Sequence, residues 1–341
     1  MPTELKTLSQ EMIPAVEAEM QAVLHADGTQ PDSFYGMMQY HMGWVDEALQ
    51  PAVVNSGKRI RPLLCLLSCA AAGGDWQQAV PAAAAIEILH NFSLIHDDIE
   101  DASDTRRGRQ TVWKIWGIEQ AINAGDAMFA IAHLAMARLE ERGVDPAIVV
   151  QALRRFDETC VQLTQGQHAD MDFEKRDQVS VAEYLEMIGG KTAVLISLST
   201  ELGARIAGAA PQTNTHYNQY GLKLGLAFQV IDDILGIWGD ESRTGKSAAT
   251  DIITKKKTLP VLHGLEHSPD LRQLYTQSDP DTAFVQQAIT LLNAAGSHDY
   301  ARQQAVEYSD SASHHLQAAN PNGPAARALH QLTHMLLARD F

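Results

Sequence analysis

Cysteine is scarce: three in 341 residues, at Cys65, Cys69 and Cys160. So few thiols exclude a disulfide framework and fit a reducing compartment. Cys65 and Cys69 lie four apart in the apolar stretch "LLCLLSCAAA", where two small buried hydrophobes are expected rather than a metal site. Basic residues are also in short supply. Against 42 Asp and Glu stand 26 Lys and Arg, for a net charge of −16. That field repels phosphate backbones, which argues against nucleic acid as a partner. It equally repels any small anionic substrate unless local cations reverse its sign. Apolar runs fall short of the ~18 residues that a spanning helix needs, so no membrane span is expected. The opening "MPTELKTLSQEM" carries acids and has no apolar core, unlike a signal peptide, and a cytoplasmic location is expected.

Alternating, β-branched-rich segments are rare as well. Apolar residues instead recur at three and four almost throughout, the helical period. Turn chemistry interrupts that pattern at His25–Ser33, Ala72–Trp76, Glu141–Pro146 and Gly208–Asn214. Ser180 with Glu183 spells a capping box at a helix start. The segment Gly239–Lys257 lacks helical periodicity and reads as a long loop. No composition shift marks a linker, so residues 1–341 read as a single large all-α domain.

Carboxylates are plentiful, and they are clustered. In "LIHDDIEDASDTRRG" the acids Asp97, Asp98, Glu100 and Asp101 crowd into five positions. If Pro81 to about Ala102 forms one helix, a turn of about 100° per residue places His90, Ser93, Asp97 and Asp101 in one stripe. Asp97 and Asp101 are one turn apart, and like charges at that spacing repel by a few tenths of a kcal/mol. A solvated acidic face is the bland explanation, but the flanking "IEILHNFSLIHDDI" is too apolar for an exposed helix. Oxygen ligands without clustered Cys or His suit Mg²⁺ or Mn²⁺, and Mg²⁺ is commonly completed by substrate phosphates. Arg106 and Arg107 follow closely, and guanidinium forks grip phosphate. A lone histidine on an apolar helix is more often a core residue than a ligand, but the position of His90 on the Asp97 stripe favours substrate contact.

A second pair, Asp232-Asp233, lies in "GLAFQVIDDILGIWGD" with Gln229 on nearly the same face. Basic motifs accompany the two pairs: "GKRIRP" from Gly57, "GGKTA" from Gly189, "TGKS" from Thr244 and "KKKTLP" from Lys255. None has Walker A spacing. Singly they are weak signals; together they are not.

These motifs, in this order, resemble those of the trans-isoprenyl diphosphate synthases, the polyprenyl synthetase family. The resemblance runs from about Gly57 to Pro260 and rests on Gly57-Lys58-Arg59-Ile60-Arg61-Pro62, His90, Asp97-Asp98-Ile99-Glu100-Asp101, Arg106-Arg107-Gly108, Gly166-Gln167-His168-Ala169-Asp170, Lys191-Thr192, Phe228-Gln229-Val230-Ile231-Asp232-Asp233, Lys246 and Lys256. It implies a single bundle of roughly ten or more mostly antiparallel helices around a central cavity, and a homodimer. It also implies condensation of isopentenyl diphosphate with an allylic diphosphate (dimethylallyl, geranyl or farnesyl) under about three Mg²⁺ ions per site. By the same resemblance Asp97 and Asp101 hold two ions and Asp232 the third. Arg106, Lys191 and Lys246 neutralise the leaving diphosphate, and Lys256 is a further loop lysine of the substrate site. Lys58, Arg61, His90 and Arg107 meet the isopentenyl diphosphate. Thr192 and Gln229 offer dipoles near the cation.

Two departures stand out. The second motif usually ends in a third Asp, and here that position is Gly236, which removes one peripheral carboxylate. Lys255 replaces a common Gly, which leaves open whether Lys256 or Lys257 makes the contact.

In the family the residues five and four before the first aspartate help to set product length; here they are Phe92 and Ser93. A deep aromatic with a small residue above it resembles the geranylgeranyl (C20) type, with farnesyl (C15) as the alternative. On an ideal helix Phe92 stands about 140° from Asp97, so its facing the chain tunnel is implied by the family rather than by geometry. A class I terpene cyclase is disfavoured by the second-diphosphate residues Lys58, Arg61 and His90. A non-catalytic regulatory subunit is disfavoured because both aspartate motifs keep their ligands.

Overall fold

The computed structural model describes residues 3–54, 57–239, 249–277 and 280–338. Sixteen α-helices account for most of them. They are α1 (Thr3–Val23), α2 (Ser33–Met42), α3 (Ile60–Ala71), α4 (Val80–Glu100), α5 (Val112–Trp116), α6 (Ile118–Ala137), α7 (Pro146–Lys175) and α8 (Val181–Ile188). There follow α9 (Val194–Ile206), α10 (Pro211–Trp238), α11 (Thr250–Ile253), α12 (Leu259–His267), α13 (Pro269–Tyr275), α14 (Thr282–Ala294), α15 (Ser297–Ala318) and α16 (Gly323–Leu337). A two-stranded hairpin, β1 (Thr105–Arg106) and β2 (Arg109–Gln110), is the only sheet among the described residues. The expected all-α class is therefore what the chain adopts, and no described helix is long and apolar enough to cross a membrane.

The chain divides into two compact units. The first contains residues 1–156, 199–214 and 321–329; the second contains 157–198, 215–320 and 330–341.

In the first unit α4 is the central helix and packs against α1, α3 and α6. Its start follows from local chemistry. Asp75 caps a 3₁₀ turn, Trp76–Ala79, by accepting from the Gln77 N–H, and Pro81 then sits in the first turn of α4, where its missing N–H costs nothing. The run Ala82–Ala85 is fully buried and lets neighbouring helices approach closely. Ile86, Ile88 and Leu89 are buried as well, each contributing about 1.5–3 kcal/mol. Cys65 and Cys69 are buried on α3 as expected.

In the second unit Tyr184, Met187 and Ile188 of α8 form one core with Val230, Ile231 and Ile234 of α10, Leu259 and Leu262 of α12, and Ala301 and Ala305 of α15. The Ser180–Glu183 capping box is present at the start of α8. Between α8 and α9 the chain forms a π-helical turn, Gly189–Ala193. The long loop expected over Gly239–Lys257 contains a single helical turn, α11, in its described part.

Candidate active site

The first cluster lies at the C-terminal end of α4 and the hairpin after it. α4 is continuous to Glu100, and Asp101 caps it, its N–H donating to the Asp97 carbonyl. Asp97 and Asp101 therefore lie on one stripe, Asp97 half-buried and Asp101 exposed. Asp98 faces inward, only 1% exposed, and its Oδ1 accepts from Arg106 Nε at 2.7 Å. Burial raises its carboxyl above the usual range, against the pull of Arg106. Glu100 is exposed, and Asp104 pairs with Lys114 at 3.1 Å on the surface.

The Arg-Arg-Gly motif has a structural reason. Arg106 pairs with Arg109 across the hairpin, so Arg107 and Gly108 form the two-residue connection, at φ 53° and 77°. Two positive φ values match a type I′ turn, which suits the twist of the strands. Glycine takes that conformation readily, whereas an arginine there is uncommon and its cost marks a position with a task. Arg107 Nη2 comes to 3.3 Å from where a Cβ on Gly57 would stand, and Gly57 has φ 115°. The glycine thus admits the guanidinium beside the backbone just before Lys58, which is exposed.

Arg61 Nη1 donates to His90 Nε2 at 3.3 Å. A guanidinium only donates, so Nε2 accepts and the ring proton belongs on Nδ1. Burial, then Arg61, Arg107 and Arg106, hold the His90 imidazole well below its usual range. His41 of α2 is pushed down to about 3 by burial and then by Arg107, Arg106 and Arg59. Two neutral imidazoles thus stand in the field of several arginines, a local reversal of the −16 net charge that suits a phosphate. Arg59 is occupied otherwise: it is buried and paired with Glu17 at 2.6 Å and Glu87 at 2.8 Å.

Phe92 packs against Phe129 of α6, with ring centroids 5.2 Å apart, and Phe129 continues through His133 to Phe156. The Ser93 hydroxyl donates to the His90 carbonyl one turn back.

The second cluster belongs to the second unit. Lys191 and Thr192 sit on the π-helical turn, which two glycines let approach its neighbours. A Cβ on Gly166 of α7 would stand 2.7 Å from the Gly190 carbonyl carbon, and one on Gly225 of α10 would stand 2.6 Å from Ala193 Cα. Lys191 Nζ donates to Asp170 Oδ2 at 2.5 Å, and Thr192 Oγ1 donates to Gln229 Oε1 at 3.0 Å. Asp232 is half-buried, whereas Asp233 is 2% exposed. Asp233 accepts from Tyr184 OH at 2.5 Å, Gln229 Nε2 at 3.0 Å and the Leu259 N–H at 3.2 Å. Burial nevertheless pushes its carboxyl up to about 6.

Gly236, where the family pattern has a third Asp, is not a simple loss. Asp251 of α11 covers it, with Cγ 2.8 Å from the position of a Cβ there. Among the lysines, Lys257 Nζ donates to the Phe173 carbonyl at 2.5 Å, and Lys255 to those of Tyr275 and Gln277. Lys256 is the exposed one. Lys246 lies outside the described residues.

Among the described residues no group of three or more His, Cys, Asp or Glu is gathered as a metal cage. Taken unit by unit, the first offers the carboxylates Asp97 and Asp101 and the second offers Asp232. Oxygen donors of this kind fit Mg²⁺, which is bound through one or two carboxylates, waters and substrate phosphates.

His41, Tyr184 and Asp251 stand beside these clusters and lie in none of the motifs. Asp98 and Asp233 are the second members of the two motif pairs, to which the sequence assigned no role of their own.

Residues 42–292 match the family model of the polyprenyl synthetases. A (2E,6E)-farnesyl diphosphate synthase of Mycobacterium tuberculosis H37Rv is 44% identical over 231 residues, which is 68% of this chain but 63% of that protein's length. The geranylgeranyl diphosphate synthase of the same strain is 39% identical over 306 residues, covering 88% of this chain and 86% of that protein. The crystal structure of geranylgeranyl pyrophosphate synthetase from Pyrococcus horikoshii Ot3 superposes with a TM-score of 0.88 at 32% identity, covering 99% of this chain and 98% of that one. The fold and the paired aspartates define a helical protein of the isoprenoid synthase type. The chain belongs to the polyprenyl synthetase family.

Proposed function

We propose that the protein is a short-chain trans-prenyltransferase that condenses isopentenyl diphosphate with dimethylallyl, geranyl or farnesyl diphosphate, ending at geranylgeranyl diphosphate. The observation that carries this reading is the same construction in both aspartate pairs. The second member is buried and bonded inside the protein, Asp98 to Arg106 and Asp233 to Tyr184, Gln229 and Leu259, which fixes the backbone that presents Asp97 and Asp232.

In this reading residues 1–341 act as one catalytic domain, as a homodimer, without nucleic acid or membrane span and in the cytoplasm. Asp97, Asp101 and Asp232 would hold about three Mg²⁺ ions, with Mn²⁺ an acceptable substitute. Those ions, when bound, supply neutralisation of the leaving diphosphate.

Lys58, Arg61 and Arg107 bind the isopentenyl diphosphate by charge. His90, kept neutral, does so as a hydrogen-bond donor. Arg106, Lys191, Lys246 and Lys256 take up the negative charge that grows on the allylic diphosphate as its C–O bond breaks. Asp170 orients the Lys191 ammonium and leaves it further protons to donate. Thr192 and Gln229 line the allylic carbon with fixed dipoles. Phe92, with Ser93 above it, closes the floor of the chain pocket. Apolar walls keep water from the cation.

Farnesyl diphosphate as end product is the second reading, favoured by the 44% identity with a farnesyl diphosphate synthase. Asp97→Ala and Asp232→Ala are each expected to abolish condensation while circular dichroism shows a folded chain. Near-normal turnover of either variant at saturating Mg²⁺ would sink the reading.

A further inference from the structure

The hydrogen bonds around Asp233 run in one direction. Tyr184 OH and the Leu259 N–H both donate to Asp233 Oδ2, at 2.5 and 3.2 Å. Gln229 Nε2 donates to Asp233 Oδ1 at 3.0 Å, and Thr192 Oγ1 lies 3.0 Å from Gln229 Oε1. Three donors converging on one side chain describe a carboxylate, which only accepts. The Gln229 amide must therefore turn its nitrogen to Asp233 and its oxygen to Thr192. That oxygen also only accepts, so the single proton of the Thr192 hydroxyl is directed at Gln229. Asp233 and Tyr184 are each 2% exposed, so little water competes for these bonds.

We infer that Tyr184 and Asp233 are positioning residues that set the polarity of the Thr192 hydroxyl, so that it presents lone pairs rather than a proton to the reacting allylic carbon. This rests on the proposed prenyltransferase reading, in which Thr192 lines that carbon. A freely rotating hydroxyl would have to reorient as positive charge develops. One already locked as a donor elsewhere contributes its negative end without reorganisation, and such preorganisation acts on the transition state rather than on substrate binding. The role of Tyr184 is to hold the carboxylate plane so that Oδ1 stays on Gln229. The whole relay is contained in the second unit and reaches from α8 through α10 to the π-helical turn.

The test is a polarity swap in the full chain, read as kcat and KM for both diphosphates. In Asp233→Asn the carboxamide can donate or accept, the Gln229 amide can flip, and the Thr192 proton is released. A fall in kcat of roughly ten-fold or more is expected, with both KM values within about two-fold. The double variant Asp233→Asn with Gln229→Glu exchanges amide and carboxylate. The new amide at position 233 then donates to the new carboxylate at position 229, and Thr192 again has only an acceptor. The double variant is expected to recover most of the lost kcat. Tyr184→Phe keeps the ring in the core and loses only the hydroxyl, and an intermediate fall in kcat is expected. It carries the test if Asp233→Asn does not fold. Unchanged kcat in a folded Asp233→Asn or in Tyr184→Phe, or a double variant no faster than the single one, would overturn the inference. Wild-type protein run in parallel separates the two readings. If it incorporates no isopentenyl diphosphate, the proposed function fails, whatever the variants do.

Discussion

Asp251 stands over Gly236. Its Cγ lies 2.8 Å from the place a Cβ at that position would occupy, so the carboxylate from α11 fills the space that a third aspartate of the second motif would enter. The departure from the family pattern is thus paired with a replacement from another element. Gly236→Asp should therefore lower both stability and turnover, although it restores the motif, because two carboxylates would compete for one volume. Adding Asp251→Ala to Gly236→Asp should recover part of the loss. Thermal melts and Mg²⁺ titrations of turnover on the two variants check this, and a faster, equally stable Gly236→Asp would refute it.

The π-helical turn is held by close backbone approach, so glycines around it should differ sharply in tolerance. A Cβ on Gly166 meets the backbone of Gly190 and Lys191, whereas nothing lies within 4 Å of one on Gly189. Gly166→Ala is expected to cost about 1–3 kcal/mol and to lower kcat by displacing Lys191. Gly189→Ala, at φ −56°, should be neutral or stabilising by about 0.4–1 kcal/mol. Urea denaturation with steady-state kinetics on both variants decides the matter.

His41 gives the stability a pH dependence of definite sign. Its folded pKa, about 3, lies below the ordinary 6.5, so the unfolded chain binds the proton more readily across that window. Its contribution is complete above pH 6.5 and is lost as the pH falls toward 3, at up to about 1.4 kcal/mol per pH unit. His41→Gln should flatten the fall between pH 6.5 and 5 by at most about 2 kcal/mol. Parallel slopes for the two proteins in denaturation at those pH values would show that His41 is not the group responsible.

Phe92 rests on Phe129 at the start of an aromatic column that ends at Phe156. If Phe92 is the floor of the chain pocket, Phe92→Ala should shift the product distribution toward chains one or more isoprene units longer. Chromatography of the dephosphorylated alcohols shows this, and an unchanged product would place the floor elsewhere.

Much of this was legible in the sequence, for physical reasons. The stripe carrying His90, Asp97 and Asp101 needs only the helical period, and α4 runs from Val80 to Glu100 as the pattern predicts. The Ser180–Glu183 cap is likewise a local signal. What was hidden depends on distant partners or on unusual backbone. Asp97 and Asp98 are about 100° apart on the helix, and only packing decides that Asp98 turns inward to Arg106. The same holds for Asp233 beside Asp232. The hairpin strands are two residues each, too short for alternation to reveal, so the Arg107-Gly108 turn was invisible although it explains the motif. Asp251 and Gly236 are joined by tertiary structure alone, and His41 lies far from every motif in the chain.

The central claim is that this chain joins isopentenyl diphosphate to an allylic diphosphate. The direct measurement is incubation of the purified protein with Mg²⁺, labelled isopentenyl diphosphate and, in separate reactions, dimethylallyl, geranyl and farnesyl diphosphate, followed by chromatography of the products. The account predicts label in prenyl diphosphates with each primer, accumulating at C20. Absence of label from any prenyl product, with the protein folded and Mg²⁺ saturating, would contradict it.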